Sequence, residues 1–245
     1  RADPITPPVN TASTSQKALK YSRNWLITSV WGRRWLNQRR SERGGMADSL
    51  AEPTAPVGTA RVETAGVVLA AGEGRRLRPL SLVRPKALCP MGDSTLLDRA
   101  VAQVGVALRT SAALGVPVAV NVHHGRDAML EHLSGRESVA VSLEEPHALG
   151  TAGAIGALSG WLGGRAALVV NADTVHDEDL CSFVDGWDGE RVRVLKVGAS
   201  PFGPRSGIVA SIVPPWAVQR LAPEPSGLWG VLWRPELAAG RIDEV

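Results

Sequence analysis

The sequence predicts an α/β fold with a mostly parallel central sheet, on three observations. Short apolar, β-branched runs recur from residue 65 onward, each bounded by turn or polar residues. Stretches with helical spacing alternate with these runs, and that alternation implies crossover connections between parallel strands. Apolar residues make up 44% of the 245-residue chain and charged residues 21%, so the chain can bury a core.

The elements are justified in order. Gly66-Val67-Val68-Leu69 reads as the first buried strand. A helix is expected over Thr95 to Leu114, because Leu97, Val101, Val104 and Leu108 share one face and Gly115 is a stop signal. Val116 to Val122 and Val139 to Leu143 are the next strands, with a short helix from Asp127 to Leu133 between them. A helix over Ala152 to Leu162 leads into the strand Ala166 to Val170. Glu178 to Val184 is helical, with Asp177, Glu178 and Asp179 forming an acidic first turn that suits the helix dipole. Val192 to Val197 is a fifth strand, and Gly227 to Leu232 reads as a late strand in which Trp229 packs. In such sheets ligands bind beyond the carboxyl ends of the strands, which directs attention to the loops after Leu69 and Val170.

Charge divides the chain. Residues 1–45 hold nine basic groups against Asp3 and Glu42, a net of +7, whereas residues 46–245 hold 18 basic and 22 acidic groups, a net of −4. The pI near 9.2 therefore belongs to the first segment. Residues 1–64 are expected to be a disordered or non-native extension and lead-in, with residues 65–245 as the folded domain. Sequence translated ahead of a start at Met46 accounts for the basic segment; a membrane-surface helix or transit-type presequence is the alternative. No apolar run approaches the roughly 18 residues of a membrane span. Cys89 and Cys181 make neither a disulfide framework nor a C-x-x-C metal site, which fits a cytoplasmic setting.

The chemistry concentrates in Leu69-Ala70-Ala71-Gly72-Glu73-Gly74-Arg75-Arg76-Leu77-Arg78-Pro79-Leu80, running on to Arg84-Pro85-Lys86. The glycines let the backbone come close to a ligand and offer N–H groups to phosphate oxygens. The third glycine of a dinucleotide fingerprint is missing, since Leu77 stands there, and no G-x-x-x-x-G-K-[ST] occurs. Five cations within the twelve residues Arg75 to Lys86 suit a polyphosphate. Lys86 is one of only two lysines after residue 45, in a chain with 23 Arg, and its compact ammonium is not interchangeable with guanidinium at a phosphate.

This block, continued by Pro85-Lys86-Ala87-Leu88-x-Pro90, resembles the signature of the sugar-1-phosphate nucleotidyltransferases. Leu149-Gly150-Thr151-Ala152-Gly153 and Val169-Val170-Asn171-Ala172-Asp173-Thr174 resemble later family elements in the right order. The resemblance implies a Rossmann-like, GT-A-like three-layer sandwich. It implies a reaction in which a sugar-1-phosphate oxygen attacks the α-phosphate of an NTP and pyrophosphate leaves. Leu69, Ala70, Ala71, Gly72 and Gly74 would hold the nucleotide, with Gly150, Thr151 and Glu145 nearer the base and sugar. Arg76 would neutralise the β- and γ-phosphates, Lys86 would contact the α-phosphate, and Asp173 would bind Mg²⁺.

The partners implied are GTP or UTP and a sugar-1-phosphate, with neither nucleic acid nor stable membrane association. A mannose-1-phosphate guanylyltransferase-like activity is the first expectation. Glucose-1-phosphate or N-acetylmuramate-1-phosphate uridylyltransferase and a non-catalytic nucleotide-sugar-binding relative are the alternatives. One departure stands out: the family's second metal-binding Asp, in a late Asp-x-Gly-Thr element, has no counterpart, and Asp243 is in the wrong context. The resemblance thus implies a domain truncated at its C-terminus.

Overall fold

A computed structural model describes residues 62–109 and 118–245. The expectations for residues 1–61, for the helix beyond Arg109 and for Gly115 lie outside the described residues. Within them, a seven-stranded sheet carries helices on both faces, as the alternation of elements requires. Its strands are β1 (Thr64–Leu69), β4 (Val118–Val122), β5 (Val139–Leu143), β6 (Ala166–Asn171), β7 (Val192–Val197), β8 (Gly207–Val213) and β9 (Ile242–Glu244). A two-stranded hairpin, β2 (Pro90–Met91) with β3 (Ser94–Thr95), stands apart.

The sheet order is β5-β4-β1-β6-β8-β7-β9. Strands β5, β4, β1 and β6 run parallel, β8 is antiparallel to β6 and β7, and β9 is parallel to β7. Period-two alternation sends side chains to opposite faces. Val68, Val120, Leu168 and Val170 meet α1 (Leu96–Arg109), α2 (Arg126–Leu133) and α4 (Leu180–Asp185) in one apolar layer. Val67, Ala119, Ala167 and Val169 form the other layer with α3 (Gly150–Ala157) and the segment 217–232.

The five earlier strands appear within the described residues, the one expected from Val116 being described from Val118, but the late strand does not. Residues Trp229–Trp233 are helical and run into a second turn at Arg234–Ala238. Leu228 and Leu232 are both buried, whereas Gly230, which a strand would place on the same face as both, is exposed, so this stretch has the helical rather than the strand period. Trp229 does pack, edge-to-face with Phe202 at 5.5 Å between ring centroids. At the helix after β6, the acidic run is a lead-in rather than a first turn. Asp179 is the N-cap, accepting from the N–H groups of Cys181 and Ser182 at 2.9 and 3.3 Å.

Two devices fix the elements that border the strand ends. Thr95 and Asp98 form a reciprocal capping box at α1: Asp98 Oδ2 accepts from the Thr95 N–H at 3.1 Å, and Thr95 Oγ1 accepts from the Asp98 N–H at 3.1 Å. One turn on, Arg99 and Gln103 both donate to the His176 carbonyl at 3.2 Å, tying α1 to the loop after β6. Among the described residues, no helix is long and apolar enough to cross a membrane.

Candidate active site

The register brings three strand ends onto one line, since Leu69 of β1 lies opposite Asn121 of β4 on one side and Asn171 of β6 on the other. Past this line the backbone of Ala172 donates to the Leu69 carbonyl at 2.9 Å and the chains diverge. A cleft of about 220 Å³ opens between them. Its lining comes from Leu69 to Gly72 and Gly74, from Lys86 and Ala87, from Asn121, from Ala148, Gly150 and Thr151, and from Asn171 to Asp173.

Gly74 turns the first loop with φ near +63°, a conformation that favours glycine, and a side chain there would press on Lys86 Cβ at 3.2 Å. The loop therefore seats itself against the lysine it must accompany. Lys86 Nζ reaches Asp173 Oδ2 at 2.5 Å, joining the loop after β1 to the loop after β6. Both side chains keep solvent access, at 25% and 42% of their surface, so a charged ligand can compete for either.

The other four cations are not in the cleft. Arg75 and Arg78 both pair with Glu73, and the Arg75 hydrogen bond is the main cause holding the Glu73 carboxyl below the ordinary carboxylate range. Arg76 sits exposed on the single turn Arg75–Leu77, beside the cleft but not lining it, and Arg84 is exposed as well. The density of charge in the sequence thus resolves into one cleft cation and an exposed arginine rim.

A buried polar chain lies behind the cleft wall. The Ala70 N–H donates to Asn121 Oδ1 at 2.7 Å, and Asn121 Nδ2 donates to Glu144 Oε1 at 2.7 Å. The Leu149 N–H then donates to Glu144 Oε2 at 2.7 Å. Asn121 and Glu144 are 3% and 2% exposed, so this chain is shielded from water. His123 Nδ1 lies 2.9 Å from the Glu144 carbonyl, and His124 Nε2 lies 3.4 Å from the Ser81 carbonyl, so both histidines have local structural partners.

The second loop is shaped by glycine for packing as well as access. A Cβ at Gly150, Gly153 or Gly156 would lie 2.5, 2.2 or 2.6 Å from backbone atoms of Ser226, Glu224 or Ala222. The segment 222–226 therefore lies directly along α3. The Ala152 N–H donates to the Ser226 carbonyl at 3.1 Å, and Thr151 Oγ1 accepts from the Leu228 N–H at 2.9 Å. Thr151 thus has a structural bond in addition to its place in the cleft.

The nucleotidyl transferase family profile matches residues 65–197, more than half of the chain. This chain belongs to that family. A relative named N-acetylmuramate alpha-1-phosphate uridylyltransferase, from Caulobacter vibrioides, is 35% identical over 55% of this chain and 57% of its own length. A mannose-1-phosphate guanylyltransferase from Mycobacterium tuberculosis is 32% identical over 49% of this chain and 32% of its own. The matches thus span little more than half of the first relative and a third of the second. A solved Bacillus anthracis structure, named as a glucose-1-phosphate thymidylyltransferase, superposes with a TM-score of 0.58 at 17% identity. That superposition covers 74% of this chain and 86% of the other, and it shows the shared Rossmann-like α/β fold.

Within this nucleotidyl transferase fold, the expected residues divide into three groups. Leu69, Ala70, Ala71, Gly72, Gly74, Lys86, Gly150, Thr151 and Asp173 converge on the cleft. Arg76 stands beside it, and Glu145 points into an ion pair with Arg126 instead. That pairing raises the Arg126 guanidinium further above its ordinary range, with a hydrogen bond to Asp127 as the larger cause. The N–H of Ala70, a residue expected to hold the nucleotide, is spent on Asn121. Sequence reasoning missed Asn121 and Glu144. The signal for Asn121 was visible, because it is an amide inside an otherwise apolar strand, Val118-Ala119-Val120-Asn121-Val122.

Proposed function

We propose that the chain transfers a nucleotidyl group from an NTP to a sugar-1-phosphate, releasing pyrophosphate. The observation that carries this reading is the cleft at the ends of β1, β4 and β6. Two glycine-containing loops line it, and a lysine–aspartate pair lies across its mouth. The reaction needs positioning and neutralisation of phosphate charge more than a side-chain nucleophile. A sugar-phosphate oxygen attacks the α-phosphorus, and the bond from that phosphorus to the bridging oxygen of the departing pyrophosphate breaks. Lys86 neutralises the α-phosphate as charge shifts, with its ammonium pre-oriented by Asp173 before substrate arrives. Arg76 meets the departing pyrophosphate at the rim.

Asp173 fits Mg²⁺ as one carboxylate arm, since this ion binds through one or two carboxylates, substrate phosphates and water. Among the described residues no group of three His, Cys, Asp or Glu side chains is placed to hold a metal alone, so phosphate oxygens are the natural co-ligands. When bound, the ion supplies further neutralisation of phosphate charge.

The folded domain proposed for this work is residues 65–245, in a cytoplasmic setting that suits the free thiols Cys89 and Cys181. For the substrates, GTP with mannose-1-phosphate and UTP with a glucose- or N-acetylmuramate-type sugar phosphate have equal support, since relatives of both kinds match. A panel assay of pyrophosphate release over NTPs and sugar-1-phosphates with Mg²⁺ tests activity and specificity together. Turnover with one pair is expected, and none with any pair would remove the catalytic reading.

A non-catalytic nucleotide-sugar-binding relative is the second reading. Asp243 takes no part in the cleft under either reading, since it lies in β9 at the sheet edge, 3.4 Å from Arg193. Nucleotide binding without turnover is the signature of the second reading.

A further inference from the structure

We infer that the buried Asn121–Glu144 pair is a positioning device that sets the spacing of the two nucleotide-facing loops. The inference rests on the nucleotide-binding reading of the cleft. Three features of the geometry carry it. The pair's outer bonds end on backbone N–H groups of the loops themselves, Ala70 in the first and Leu149 in the second. Ala70 and the two residues after Leu149 line the cleft. The chain of bonds is also directional: a carboxylate can accept at both oxygens, whereas an amide has one accepting and one donating end. Glu144 must therefore receive from Asn121 and from Leu149 at once, and Asn121 must present its oxygen to Ala70.

Both side chains are nearly inaccessible, with no charged partner contributing to the three bonds. A fully satisfied network of this kind holds its ends in one register, while a half-satisfied one lets them part. The pair touches the ligand cleft through Asn121 but acts through Ala70 and Leu149, so both are positioning residues. A deformed cleft would first appear as weaker nucleotide binding, ahead of any effect on the chemical step.

The directionality supplies a sharp test. Asn121→Asp alone sets two carboxylates against each other, and Glu144→Gln alone sets donor against donor at one of its two bonds. The double variant N121D/E144Q satisfies all three bonds again with the central one reversed. The measurement is calorimetric titration of the full chain with UTP and with GTP in Mg²⁺, alongside thermal unfolding of each variant. Each single variant is expected to bind the nucleotide preferred by the wild type roughly tenfold or more weakly, the scale of one unsatisfied buried group. The double variant is expected to return to within about threefold.

Single variants that bind like the wild type would overturn the inference. So would a double variant that regains its melting temperature without regaining affinity, because the pair would then serve stability alone. If a single variant is too poorly folded to titrate, the double variant decides by the same threefold criterion. A wild-type chain that binds neither nucleotide would remove the nucleotide reading itself and this inference with it. That outcome is separate, because it appears in the wild-type titration alone.

Discussion

At the scale of single residues, Lys86 and Asp173 separate chemistry from stability. Their ion pair is partly solvated, and such pairs contribute at most about 1 kcal/mol to folding. A charge placed on the α-phosphate in the transition state is worth several times that in a shielded cleft. Lys86→Met and Asp173→Asn are therefore expected to lower turnover by roughly a hundredfold or more with little change in thermal midpoint. Steady-state rates of pyrophosphate release beside a melting curve check this, and near-wild-type rates in either variant would remove its assigned role. Lys86 was legible in the sequence because it stood out against an arginine-rich background. The fate of its neighbours was not, because counting charges cannot show that Glu73 occupies Arg75 and Arg78. The pairing of Glu145 was hidden for the same reason: its partner Arg126 is 19 residues away in sequence.

At the scale of elements, two local structures make opposite demands. The Thr95–Asp98 capping box fixes the start of α1. Burial alone would raise the Asp98 carboxyl, but hydrogen bonds from His132 and Thr95 and the charge of Arg136 bring it down to about 2. A carboxyl depressed in the fold stabilises above its unfolded value, near 3.8, and that contribution fades as pH falls toward 2. Asp98→Asn should cost roughly 2 kcal/mol in urea unfolding at neutral pH, and the gap to the wild type should narrow below about pH 4. In α3, Gly153→Ala gains about 1 kcal/mol of helix propensity. Its Cβ would lie 2.2 Å from the Glu224 carbonyl, however, and overpacking against backbone typically costs about 1–3 kcal/mol. The rigid neighbour should win, so a lower melting temperature is expected, and a higher one would show that segment 222–226 can move aside. The parallel strands and their helices were readable because each carries its own periodicity. Strand β8 was not anticipated, because it is antiparallel and follows β7 with no helix between to mark a crossover. The misread segment 227–232 shows the limit of short apolar runs, where only the exposure of Gly230 between the buried Leu228 and Leu232 reveals the period.

At the scale of the whole molecule, the separation of charge along the chain makes the final prediction. Residues 59–245 carry 18 basic and 20 acidic groups, a net of −2, although the full chain stands at +3. The fold also dictates where a shortened chain can start. Val62 packs against the core beneath the sheet, and the Glu63 carbonyl accepts from the Ala166 N–H at 2.9 Å, so a cut must fall before residue 62. Removing residues 1–58 spares both contacts and leaves every residue of the cleft in place. Nucleotide affinity and turnover should then stay within about twofold, because screening confines exposed charges to a range of about 8–10 Å at ordinary ionic strength. Any non-specific retention of the full chain on DNA or on anionic vesicles at low salt should vanish with the same deletion, since the remaining domain has the wrong sign for either. Parallel assays of the full and shortened chains, at two salt concentrations, separate the two effects. A loss of turnover on deletion would mean that the basic segment belongs to the working site, and the domain would then have to be redrawn from residue 1.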